Sequence, residues 1–232
     1  MRAAAVAAGP DEPVPPCPEW TVRNLVRHIA RVHNWVGKAL TTDRSAPEPH
    51  PDRPPETWDD LLPWWDEQVA TMLGMLRERD PAEPAWVFEV DAESNAAFWA
   101  RRQAHETAIH RLDAEHANAR SDRADSVPSL VFDPRFAADG IDELLVLLVP
   151  RLQRRETVEV DGTVLFHAAD AGRAWQVTLR AGQSPVVGPA TEIDTDASVV
   201  GTADAVYRAV WHRPSTAIAS GDRTLVDALR AP

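Results

Sequence analysis

The hydrophobic period of this chain changes partway along it, and that change constrains the fold more than any other feature. Val22, Leu25, Ile29, Val32 and Val36 recur at helical spacing and mark one face of a helix expected from Thr21, as N-cap, to about Leu40. Thr57 caps a second expected helix that runs to about Arg79, with Asp59 and Asp60 in the first turn where the helix dipole favours them. A third is expected from about Ser94 to Ala119. Polar, proline-broken segments separate the three. Long helices joined in this way form antiparallel bundles, which normally have four members. The remaining candidate is the stub Arg2 to Ala8, less than two and a half turns long, so the first helix of the bundle reads as truncated or as starting further upstream.

Residues 120 to 135 are polar and rich in turn formers, and the domain boundary is expected there, with one domain over residues 1–120 and another over 133–232. Phe136 to Leu152 reads as an amphipathic helix ending around Pro150. Beyond it the period becomes two: Thr157 to Val160, Val164 to Ala168 and Trp175 to Leu179 alternate as strands do, with Asp161-Gly162 and Ala171-Gly172 as hairpin signals. A helix over Ala203 to Trp211, a strand at Ala217 to Ala219 and a closing helix from Asp222 to Leu229 complete an α+β domain. The expected fold class is therefore α+β in two domains, a helical bundle followed by a small mixed domain.

Charge and composition narrow the function. With 24 basic and 36 acidic residues the formal net charge is −12, which gives a phosphate backbone no electrostatic reason to bind, so no nucleic-acid partner is expected. The longest aliphatic run, Leu144 to Val149, is far short of the roughly 20 residues of a membrane helix, so no membrane partner is expected. Cys17 is the one cysteine and cannot form an internal disulfide. Residues 1–9 are too weakly apolar for a secretion signal. A cytoplasmic protein, monomeric or weakly dimeric, is the expectation.

The third helix carries the densest chemistry. His105, Glu106 and His110 look at first like the zinc-protease pattern, but its histidines are four apart, whereas five residues turn a helix by a net angle of about 140°. Glu106 and His110 are four apart and share a face, as do Trp99 and Asp113. On the first long helix, His28 lies at the edge of the apolar stripe, and His33 points about 140° away from it. One inward histidine facing a Glu/His pair on another helix is a known way to hold a metal in a bundle core, and a His₂Glu set leaves a position open for water or substrate. Asp113 then falls where it orients His110 from behind. The same residues also read as a packed histidine beside a surface helix pair. His33, His50, His105, His116, His167 and His212 read as surface or packing residues, and Cys17, among prolines at a helix entrance, as structural. Arg101 and Arg102 read as a solvated face or as an anchor for an anionic substrate.

Two stretches resemble a known family. Pro16-Cys-Pro-Glu-Trp-Thr-Val-Arg-Asn-Leu-Val-Arg-His28-Ile and Arg102-Gln-Ala-His-Glu106-Thr-Ala-Ile-His110-Arg-Leu-Asp-Ala-Glu115 are similar to motifs of the mycothiol-dependent maleylpyruvate isomerases of actinobacteria. Ala137 to Leu144 and Gly221 to Leu229 resemble that family's C-terminal domain. The resemblance implies a DinB-like four-helix bundle that holds a divalent metal, usually zinc, followed by a sterol-carrier-like domain. It places the metal ligands at His28, Glu106 and His110, the three that the helix faces select separately. It also implies mycothiol as a thiol co-substrate and a small-molecule substrate, with isomerisation or thiol transfer as the reaction. The alternatives are a hydrolase in which the metal activates water, marked by thiol-independent turnover, and a small-molecule binding module with a vestigial metal site, marked by an apolar pocket in the second domain. No residue is singled out for catalysis or for gripping the thiol.

Overall fold

The computed structural model describes residues 1–89, 92–153, 158–190 and 194–229. The chain divides into two compact units, Met1–Asp122 and Arg123–Pro232. No helix among the described residues is long and apolar enough to cross a membrane.

The first unit is a bundle of α1 (Arg2–Ala8), α2 (Val22–Thr41), α3 (Trp58–Glu78) and α4 (Ala96–Ala119). Helix α2 packs on α3 and α4, and the short α1 packs on α4, so the stub does serve as the fourth element. Local chemistry fixes the starts. Thr21 and Asn24 form a reciprocal capping box on α2, the Thr57 side chain accepts from the Asp60 amide on α3, and Asn95 accepts from Phe98 on α4. On α2, Val22, Leu25, Val26, Ile29 and Val36 are fully buried. Each such side chain contributes roughly 1.5–3 kcal/mol relative to exposure. His33 interrupts this face between Ile29 and Val36. Trp65 Nε1 donates to its Nδ1 at 3.2 Å, and Thr107 Oγ1 lies 3.3 Å from its Nε2. Three of the tryptophans share one core cluster of the bundle: Trp35 and Trp99 meet Phe88 and Phe98 mostly edge to face, and Trp99 Nε1 donates to the Trp86 carbonyl at 2.6 Å.

The second unit opens with α5 (Pro134–Glu143), capped by Asp133, which continues through a π-helical turn (Leu144–Leu148) into α6 (Val149–Gln153). The expected end at Pro150 is therefore passed. The Val149 amide reaches back five residues to the Leu144 carbonyl, and this wider turn carries the chain into the proline without a break. A five-stranded sheet follows in the order β3-β2-β1-β4-β5, built from β1 (Gly162–Ala168), β2 (Arg173–Leu179), β3 (Val186–Pro189), β4 (Ala197–Gly201) and β5 (Ile218–Gly221). β1 pairs antiparallel with β2 and parallel with β4, and the outer pairs are antiparallel. Helix α7 (Ala203–Val210) packs on α5, and α8 (Arg223–Asp227) on β1 and β4.

The hairpin at Ala171-Gly172 forms as expected, with Gly172 at φ 61° after a short 3₁₀ turn. The strand expected over Thr157 to Val160 does not form over 158–160, and Thr157 lies outside the described residues. The Val158 carbonyl accepts from the Gly182 amide, and Gly162 starts β1 instead of turning a hairpin. β3 and β4 were not expected. The first is four residues ending in Gly-Pro, which reads as a turn, although proline is tolerated on an edge strand such as this one.

Candidate metal centre

The centre is built from two helices. α2 presents His28, and α4 presents Glu106 and His110 one turn apart. His28 Nε2 lies 2.9 Å from Glu106 Oε1, and His110 Nε2 lies 3.4 Å from the same oxygen. One ligand atom from each of the three residues fits within a 4.8 Å span. Asp113, fully buried, takes the other side of His110, with Oδ2 2.9 Å from Nδ1. The Cys17 thiol donates to that same Oδ2 at 3.7 Å.

A carboxylate accepts only, so Asp113 fixes the Nδ1–H form of His110 and turns the Nε2 lone pair toward Glu106. Two imidazole nitrogens and a carboxylate oxygen then converge, and such a set is stable only when a proton or a cation lies among them. Protons meet this need in part. Burial works against a charge on His110, but its bonds to Asp113 and Glu106 outweigh burial and raise its pKa from 6.5 to about 9. Burial likewise opposes ionisation of Glu106, yet His110, His28 and the Arg102 charge hold its carboxyl well below the usual range. A divalent cation meets the same need. Neutral imidazoles and a carboxylate are zinc-type donors, and tetrahedral ligands at about 2.0–2.1 Å from a metal stand about 3.3 Å from one another, close to the 2.9 and 3.4 Å that separate the two imidazole nitrogens from Glu106 Oε1. The donor set therefore fits the group that the resemblance implies, and Asp113 bonds the ring nitrogen of His110 that faces away from Glu106.

Other residues shape the surroundings. Trp20 stacks on His110 with ring centres 5.9 Å apart and tilts against His28 at 5.0 Å. Sequence reasoning missed it, although it directly precedes the N-cap of α2, where an apolar residue often folds back onto the helix. Arg102 is buried and donates to Glu106 Oε2 at 2.7 Å, so it is neither a solvated face nor an anchor free for a substrate. Arg101 is half-buried on α4. Beside His28 lies a cavity of about 240 Å³ lined by His28, Arg31, Val32, Trp35, Glu48 and Pro51. Four of these stand at i, i+3, i+4 and i+7 on α2, so one strip of that helix forms both a wall of the cavity and an edge of the cluster. His33 turns away from the cluster as its spacing implies, and burial lowers its pKa to about 4.

Comparison with known proteins bears on this arrangement directly. Residues 1–115 match the sequence model of the mycothiol maleylpyruvate isomerase N-terminal domain, and residues 135–228 match that of the MDMPI C-terminal domain. No curated protein and no solved structure matches the chain. The first match covers α1 to α3, most of α4 and all three clustered residues, the second covers the sheet and nearly all of its helices, and together they leave little of the sequence outside. The chain belongs to the mycothiol maleylpyruvate isomerase family.

Proposed function

We propose that this chain is a metal-dependent enzyme that uses a low-molecular-weight thiol, mycothiol in the family's name, to isomerise an activated double bond in a small molecule. The observation that carries the reading is the convergence of His28 Nε2, Glu106 Oε1 and His110 Nε2 in a bundle of this family. In this reading those three residues hold a divalent cation, zinc being the expected one. When bound there, such a cation lowers the pKa of a thiol at its open position and polarises a nearby carbonyl.

The isomerisation balances without any other reagent. The thiolate sulfur bonds to one carbon of a cis C=C conjugated to a carbonyl, and the π pair moves onto the carbonyl oxygen. Rotation about the new single bond follows. The pair then returns, the C–S bond breaks, and the trans product leaves with the thiolate regenerated.

The protein's part is to bind, orient and shield. Asp113 keeps Nδ1 of His110 protonated, so that Nε2 points inward. Trp20 lies against both imidazoles and narrows the access of water. The cavity beside His28 has room for a small molecule against Val32, Trp35 and Pro51, and the exposed Arg31 guanidinium at its wall suits a carboxylate. The binding-module alternative draws less support. The cavity of about 440 Å³ in the second unit is lined by Asp142 and Arg173 as well as Val146 and Val187, so it is not purely apolar.

The test is elemental analysis of the purified, untagged protein. About one zinc or similar ion per chain is expected, lost in a folded His28→Ala variant, with turnover of a cis-alkenoyl substrate dependent on added thiol. Full metal occupancy in that variant would overturn the assignment of His28.

A further inference from the structure

Arg102 is the least expected residue at the centre on energetic grounds. Its side chain is only 5% exposed, and withdrawing an ion from water costs several kcal/mol before a partner is counted. Its charge also repels any cation held by the neighbouring carboxylate. Nor is it the favoured helix pair, because here the arginine precedes the glutamate by four residues, the weaker order.

What the contact accomplishes is a division of the carboxylate. Arg102 Nη2 donates to Glu106 Oε2 at 2.7 Å, whereas both imidazole Nε2 atoms approach Oε1, at 2.9 and 3.4 Å. The two oxygens of one side chain thus serve two different partners. The cavity beside His28 is lined by other residues, and the Arg102 contact argued from here is the one to the carboxylate.

We propose that Arg102 is a positioning residue that claims Glu106 Oε2, makes Glu106 a one-oxygen ligand, and so keeps one coordination position open for a thiol. The inference rests on the metal reading above. Carboxylates bind cations through one oxygen or through both. If Oε2 were released it would swing toward the cation and close the fourth position, turning a centre of the catalytic kind into a closed one.

The test uses the full chain loaded with Co(II), with 2-mercaptoethanol as the probe, read by the sulfur-to-cobalt charge-transfer band. Arg102→Met removes the donor. It is expected to retain about one cobalt per chain but to bind the probe at least tenfold more weakly than wild type. Arg102→Gln keeps an N–H donor and is expected to bind the probe within about threefold of wild type. A folded, cobalt-loaded Arg102→Met with wild-type thiol affinity overturns the proposal. Should that variant not fold, Arg102→Ala takes its place under the same two outcomes, and a tenfold loss in Arg102→Gln overturns the proposal in either case. Wild-type protein that takes up no cobalt would instead sink the metal reading itself, a failure distinguishable from the others by metal content alone.

Discussion

Replacing Asp113 by asparagine tests the proposed centre through a residue behind His110 and outside the three clustered donors. Asp113 is fully buried with Oδ2 2.9 Å from His110 Nδ1, and its hydrogen bond is the strongest influence raising the His110 pKa from 6.5 to about 9. Asp113 and Glu106 share that rise against burial, so removing the Asp113 charge lowers the proton affinity of His110 by about ten- to a hundredfold, or roughly 1.4–2.7 kcal/mol. Imidazole basicity carries over to metal affinity, and loss of a ligand's orienting partner typically costs about 10–100-fold there too. The two effects oppose each other near neutrality. In wild-type apoprotein at pH 7 a metal must displace the His110 proton, and in Asp113→Asn it need not. The expected outcome is therefore a zinc affinity within a few-fold of wild type at pH 7, and a deficit of about 10–100-fold at pH 9.5, where the competing proton is gone. Competition against a chromogenic chelator at both pH values, with circular dichroism to confirm the fold, makes the measurement. A deficit that does not widen with pH refutes the reasoning, and so does wild-type affinity at pH 9.5.

Three further outcomes follow from the same structure. His33 has a folded pKa of about 4 against 6.5 unfolded, so the unfolded chain binds the proton first and stability falls as pH drops below 6.5, by about 2 kcal/mol at pH 5; denaturant melts that are flat from pH 7 to 5 would contradict this. His110 works in the opposite direction in metal-free protein: its folded pKa of about 9 contributes on the order of 3 kcal/mol that is fully present below pH 6.5 and lost as pH rises through 9. Thermal melts in chelator should therefore fall between pH 7 and 9.5, and unchanged melts would count against the Asp113–His110–Glu106 linkage. Gly221 has φ 79°, and a Cβ there would lie 2.1 Å from the Asp196 carbonyl oxygen, so Gly221→Ala should lose about 2 kcal/mol or more by denaturant titration, and a loss under 0.5 would refute the reading of β5.

The legible parts of this fold are those where one physical rule acts alone. α2 follows from its stripe because Val22, Leu25, Ile29 and Val36 on that face are buried, and α3 follows from Thr57 because the cap and the acidic first turn agree with the bond that Thr57 makes. The second unit is less legible because its pieces are short. Four residues of β3 hold no period, and the π turn at Leu144–Leu148 hides in an aliphatic run that reads as helix in any register. The Thr157 to Val160 segment alternates correctly but finds no ladder over 158–160. Alternation states which face would be buried; it does not supply a neighbouring strand.

α4 is the instructive case, because its sequence shows no clean apolar stripe while its structure buries a polar one. Arg102, Gln103, His105, His110, Asp113 and His116 are all buried on this helix, each where a soluble bundle would ordinarily place leucine or alanine. A sequence that breaks the packing rule at so many positions of one helix has another use for them. Spacing was enough to pair Glu106 with His110 and to point at His28. It could not reveal the Arg102 contact or the Trp20 stack, because the first depends on which oxygen of Glu106 faces inward and the second on a loop folding back. Exposure then gives the cluster a direction. It falls from 37% at the His28 side chain to 16% at Glu106, 10% at His110 and none at Asp113. The cluster's most exposed member, His28, stands on the side where α2 lines the cavity with Arg31 and Trp35. The charged pairs with Arg102 and Asp113 stand behind the cluster, where water cannot weaken them.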